Sequence, residues 1–259
     1  VTDLRQRAPA QAVMEKLVSL RGTPDLVEWP LGIVRLSKDG ESWLRGVKGE
    51  LSMARGLSTL GAEWTVLHSI PVGLRGSDID HIAIGPTGVF AINSKRLLDR
   101  RIWVSGGRFL VDGRHREYLR YADFEATRVE AVLRAAGIPL GVMPVIAISG
   151  AKKITIRSTP VWNGRTIGVA RSEHVARRIR RRSPKLSRDQ VEQIVALFSD
   201  PAAWTRKPLP MDNAQATRDA YDRIERGVRR WNAFIVTSGL LFSAALVGLG
   251  ELVLHALPF

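Results

Sequence analysis

Apolar and polar positions along the chain fall into short runs of changing period. Two β-prone runs, Asp78 to Ile84 and Val89 to Lys95, flank the turn sequence Gly85-Pro86-Thr87-Gly88. Pro and Gly stand where turn geometry favours them, so a hairpin is predicted. Most of its positions are apolar on both faces, as in a strand pair from the middle of a covered sheet. Upstream, Ala10 to Leu20 has helical spacing after Pro9, and Trp29-Pro30-Leu31-Gly32 reads as a breaker. Gly46 to about Leu60 is predicted to be helical, with Leu51, Ala54, Leu57 and Leu60 recurring every three residues. Trp64 to Ile70 is predicted as a strand ended by Pro71. Downstream come an outer hairpin over Arg101–Asp112 turning at Gly106-Gly107, a helix over Tyr118–Ala136, and buried strands at Met143–Ser149 and Thr166–Val169. Helices at Arg171–Arg182 and Ser187–Phe198 are separated by Ser183-Pro184 and close near Trp204. Arg206–Pro210 reads as a linker and Asn213–Arg230 as a charged helix.

The hairpin carries the candidate chemistry. Symmetry about Pro86/Thr87 places Asp80 across from Asn93, and the two-residue strand period puts Lys95 on Asn93's face, next to Asp78. Polar groups in such a strand pair are costly without partners, and a metal ion is one such partner.

From Ala233 to Gly250 the chain has no charged residue, and as a helix at 1.5 Å per residue this stretch spans roughly 27 Å. Trp231 and Arg229-Arg230 sit at its border as interface anchors do. A membrane anchor over residues 231–259 is expected, with a hydrophobic core helix as the alternative. Basic residues cluster on its N-terminal side, so the large domain is expected in the cytoplasm. No secretory signal is visible at the Val1 end. Gly239-xxx-Ser243 and Ala244-xxx-Gly248 are small-residue spacings suited to helix pairing, and hence to a homodimer through the anchor.

Lysine and arginine total 39 against 25 acids, a net charge of +14. An excess of this size points to a polyanion, either nucleic acid or an anionic lipid surface. The densest basic run is Arg177, Arg178, Arg180, Arg181 and Arg182, broken only by Ile179. On a helix it covers more than one face, which suits phosphate contacts as well as a solvated surface. Without cysteine the chain forms no disulfide or thiolate zinc site. Its five histidines are scattered without metal-ligand spacing.

Four motifs occur in order: Gly46-Val47-Lys48-Gly49-Glu50, Ile79-Asp80-His81, Gly85-Pro86-Thr87-Gly88-Val89-Phe90 and Asn93-Ser94-Lys95. Together they resemble the nuclease-related domain, or NERD, of the PD-(D/E)xK nuclease superfamily, over about Gly46 to Trp204. The resemblance implies an α/β fold, a restriction-endonuclease-like αβββαβ core with a mixed central sheet, here followed by the C-terminal transmembrane helix. It divides the chain into an N-terminal arm (1–45), the nuclease-fold domain (46–205), a linker with a charged helix (206–230) and the anchor (231–259). It also implies a Mg²⁺ site built from Asp80, Glu50 and Asn93, with Lys95 positioning water for phosphodiester hydrolysis on DNA. Glu125 and Arg128 lie on the helix where related nucleases often carry a polar active-site residue. Read without the resemblance, Glu50 is an acid at a helix N-terminus, favoured there by the dipole. One departure stands out: Asn93 occupies the acid position of the acid-x-Lys triplet, so its amide oxygen could ligate a hard cation but brings no charge. Two readings stay open: a membrane-tethered Mg²⁺-dependent nuclease, and a non-catalytic nucleic-acid-binding or membrane scaffold module with a degenerate site.

Overall fold

The computed structural model describes residues 3–72, 77–205 and 214–256, the last stretch with side chains as far as residue 238. The linker Arg206–Pro210 lies outside the described residues.

In chain order, the elements begin with α1 (Gln11–Val18), β1 (Leu26–Trp29), β2 (Ile33–Leu36) and α2 (Lys38–Leu57). Next are β3 (Thr65–Val72), β4 (Ser77–Gly85), β5 (Gly88–Arg96), β6 (Arg101–Ser105), β7 (Arg108–Val111), β8 (Arg114–His115) and α3 (Tyr118–Ala135). The strands β9 (Val142–Ser149), β10 (Lys153–Ile156), β11 (Val161–Trp162), β12 (Arg165–Thr166) and β13 (Gly168–Arg171) follow. The helices α4 (Ser172–Arg180), α5 (Arg188–Ser199) and α6 (Ala214–Ala256) complete the order.

The chain divides into two compact units, residues 1–14 with 45–214 and residues 15–44 with 215–259. The first holds a five-stranded sheet in the order β13-β9-β5-β4-β3. Its β3–β4 and β4–β5 pairs are antiparallel and its β5–β9 and β9–β13 pairs parallel, so the sheet is mixed, as expected. One face packs on α3 and α5 through Ile82, Ile84, Val89, Ala91, Ala126, Val129 and Ile194. The other packs on α2 and α4 through Met53, Leu57, Ala83, Phe90, Ile92, Val175 and Ile179. Being covered on both faces, Val89 to Ile92 is buried at every position, which is why the strand reads as a continuous apolar run.

Several boundaries differ from the sequence reading. Pro71 does not end its strand but pairs with Asp78 inside β3, because β3 is the sheet edge and a missing N–H there breaks no ladder. α2 starts at Lys38 rather than near Gly46, and the expected breaker forms the turn of an unforeseen hairpin between β1 and β2. A second sheet, β10-β6-β7-β8, contains the expected outer hairpin, to which β10 adds a parallel strand that the periodicity did not reveal.

In the second unit, the charged helix and the uncharged stretch are one helix, α6. Among the described residues no helix is long and apolar enough to cross a membrane. The side chains of most of the stretch 233–250 fall outside those described.

Candidate active site

The β4–β5 register has the symmetry read from the turn: Gly85 pairs with Gly88, Ala83 with Phe90, and His81 with Ile92. At the far end of this ladder lie Asp80, Asn93 and Lys95. Asp80 Oδ2 accepts the Ser94 backbone N–H at 2.6 Å, which ties its carboxylate to β5. Asn93 is buried and its Nδ2 donates to Glu125 Oε1 of α3 at 2.5 Å. Lys95 Nζ lies 5.6 Å from the Tyr118 ring centroid at the start of α3. Asn93 and Lys95 both contact α3 residues, as two strand positions on one face should.

Glu50 is buried, and the start of α2 at Lys38 puts it in mid-helix, so the helix-dipole reading does not hold. It continues the buried stripe of Val47, Met53 and Leu57, a core-facing position for a carboxylate. Gly49 explains how α2 reaches the end of β5: a Cβ there would stand 3.2 Å from Arg96 Cβ. Among the described residues, Glu50 Oε2 and Glu125 Oε2 are buried oxygens with no hydrogen-bond partner.

The electrostatics follow from crowding acids in a covered place. Burial, then the nearby Asp80 and Asp78, push the Glu50 carboxyl well above its ordinary range. Burial and Asp80 raise Glu125 to about 8, opposed by Lys95 and the Asn93 hydrogen bond. Burial also raises Asp80, while Lys95 and the Ser94 N–H pull it down. The carboxylates of Glu50, Asp80 and Glu125 thus share one lysine, Lys95. The donors are hard oxygens, those of Glu50 and Glu125 buried without a hydrogen-bond partner, and oxygen of this kind is the donor that a hard divalent cation prefers. Among the described residues, no group of three or more His, Asp or Glu side chains could by its placement hold a metal ion.

Two features escaped sequence reading. His68 Nδ1 and His81 Nδ1 lie 2.8 Å apart, and His81 Nε2 is 3.2 Å from Ser94 Oγ, beneath the Asp80–Ser94 contact. Burial lowers His68 to about 4 and His81 well below its ordinary value, so both are neutral. The paired register His68↔His81 was the available signal, and it needed the position of β3. Glu125 joins the site, whereas Arg128 stacks over Phe124 at 4.9 Å, on a ring that is largely exposed.

The basic run is exposed but lies at the opposite end of the hairpin. Thr87 Oγ1, in the turn, donates to Ile179 O of α4 at 2.8 Å. Six residues of strand separate Thr87 from Asn93, about 20 Å at 3.3 Å per residue. Arg177, Arg178, Arg180, Arg181 and Arg182 therefore do not join the carboxylate cluster.

Residues 45–149 match the family model of the nuclease-related domain. No curated protein and no solved structure matches the chain. The match runs from within α2 to the end of β9, and so contains Glu50, Asp80, Asn93, Lys95 and Glu125. It is shorter than the stretch to Trp204 over which the motifs suggest resemblance, leaving α4 and α5 outside it.

Proposed function

We propose that the nuclease-related segment is a Mg²⁺-dependent phosphodiesterase site acting on DNA, in which Glu125 supplies the carboxylate that Asn93 lacks. The observation that carries this is the 2.5 Å hydrogen bond from Asn93 to Glu125, whose second oxygen is buried without a partner. An acid at position 93 would be a ligand itself; an asparagine there orients a ligand brought by α3. Asp80 and Glu125, with Glu50 beside them, would hold the cation, since Mg²⁺ needs one or two carboxylates and keeps several waters. When bound, Mg²⁺ supplies Lewis acidity at a phosphoryl oxygen and lowers the pKa of a bound water. Lys95, which already offsets the charge of Asp80, Glu50 and Glu125, would offset scissile-phosphate charge and orient the attacking water. A duplex laid along the hairpin would bring the arginine run over phosphates about 20 Å away, near six base pairs at 3.4 Å each.

Anchoring through residues 231–259, with the large domain cytoplasmic and pairing through the small-residue spacings, is part of the same proposal. It is supported by the uncharged stretch and the arginines before it. A second reading, a module of nuclease fold that binds nucleic acid without cutting it, draws on the neutral Asn93 and on the Asp80 oxygen already engaged by Ser94.

Calorimetric titration of Mg²⁺ into the full chain at pH 7, in two buffers of different ionisation enthalpy, separates these readings. Burial raises Glu125 to about 8 and pushes Glu50 up as well, so binding should displace protons from these ligands. Glu125→Gln should reduce that release and weaken binding. Absence of binding at millimolar Mg²⁺ would favour the non-catalytic module.

A further inference from the structure

The second unit exposes an apolar cluster that the nuclease reading does not use. Leu31, between β1 and β2, is 86% exposed and held at a φ of 63°, an uncommon conformation for a leucine. Trp29 beside it is 46% exposed and Phe234 of α6 53% exposed. The Trp29 and Trp231 rings meet edge-on at 5.4 Å, and Trp231 stacks on Phe234 at 6.1 Å.

The hairpin is fixed to the helix. Arg230 Nη1 donates to Leu31 O at 2.7 Å, and a Cβ on Gly227 would fall 2.3 Å from Val34 Cγ2. Leu31 is therefore presented outward at the point where α6 passes from arginines to the uncharged stretch beginning at Ala233. Ile235 and Val236 continue the exposed apolar surface. Arg223, Arg226, Arg229 and Arg230 are exposed on the turns just before it.

We propose that the β1–β2 tip is a second membrane-contacting element, which seats Trp29 and Leu31 in the headgroup–acyl boundary of an anionic bilayer beside Trp231 and Phe234. The proposal rests on the reading of residues 231–259 as a membrane anchor, and it adds a contact separate in sequence from that segment. Large apolar side chains exposed together mark a partner surface. Tryptophan beside aliphatic residues is the composition of an interfacial belt, and arginines behind it complement anionic headgroups. A second copy of the chain fits less well, because a two-fold contact would bring the same arginines face to face. With the tip seated, the hairpin and the helix together would hold the second unit at a fixed angle to the bilayer, which a single helix alone does not do.

The chain has no cysteine, so Leu31→Cys introduces a unique thiol for an environment-sensitive fluorophore. Pro30→Cys, also exposed at the tip, is the second probe, and Arg188→Cys on α5 is the control. The labelled full chain is reconstituted into phosphatidylcholine vesicles with and without phosphatidylglycerol and recovered by flotation. The proposal expects the labels at positions 30 and 31 to shift blue and to be quenched by brominated acyl chains, more strongly with phosphatidylglycerol, while the label at 188 does neither. Chain that floats while both tip labels stay aqueous and unquenched would overturn the tip contact and leave the anchor standing. Chain that does not float would overturn both. A blue shift already present without lipid and growing with protein concentration would assign the patch to a second copy and equally overturn the proposal.

Discussion

Asn93 shows how one side chain changes the chemistry of its neighbours. Its amide can donate to Glu125, which a carboxylate at that position could not do at neutral pH. Asn93→Asp would remove the donor and place a further acid in a cluster where Glu50, Asp80 and Glu125 already share Lys95. In chelator its melting temperature should fall by several degrees, and millimolar Mg²⁺ should restore more stability to it than to the wild type. Differential scanning fluorimetry with and without EDTA measures this; equal losses in both conditions would mean that no ion relieves the cluster. Asp80, Asn93 and Lys95 were legible from the sequence because a short turn fixes a hairpin's register, and register fixes faces. The role of Glu125 was less legible, since a buried and a solvated glutamate look alike on a helix whose rotation about its axis is unknown. Glu50 was named from its motif, but its mid-helix, core-facing position required knowing that α2 begins at Lys38.

At the scale of elements, the hairpin, α3 and the helix containing Glu50 were expected, because each has apolar spacing or turn chemistry that survives any packing. The elements that escaped were those whose stability comes from partners. β10 pairs in parallel with β6 from about fifty residues away, and β1–β2 packs on α6 at Gly227. The His68–His81 contact between β3 and β4 is of the same kind, and it has a consequence for pH. His68 titrates near 4 in the fold against 6.5 ordinarily, so the unfolded chain binds the proton first as pH falls. Its contribution is complete above pH 6.5 and lost on descending towards 4, nominally about 3 kcal/mol from a shift of this size. Glu125, raised to about 8, works the other way: its contribution is complete below pH 4.5 and lost as pH rises through 8. Urea unfolding of His68→Gln at several values between pH 4.5 and 7 should therefore show a shallower rise of stability with pH than the wild type. Identical slopes would show that the pair is not carried neutral into the core.

For the whole molecule, the mixed sheet covered on both faces places hard-oxygen donors at one end of the central hairpin and arginines at the other. The +14 charge made a polyanionic partner an early expectation, and the location of the arginine run, about 20 Å along the hairpin, is what only the fold supplies. The central claim, that these carboxylates support metal-dependent phosphodiester hydrolysis, is tested most directly by titrating Mg²⁺ against nicking of supercoiled plasmid by the purified full chain, with Asp80→Ala in parallel. The account predicts no nicking in EDTA, a saturable rise with Mg²⁺, and at least a hundredfold loss in Asp80→Ala, the order expected when a group acting on the transition state is removed. Nicking that ignores Mg²⁺, or that persists unchanged in Asp80→Ala, would contradict it.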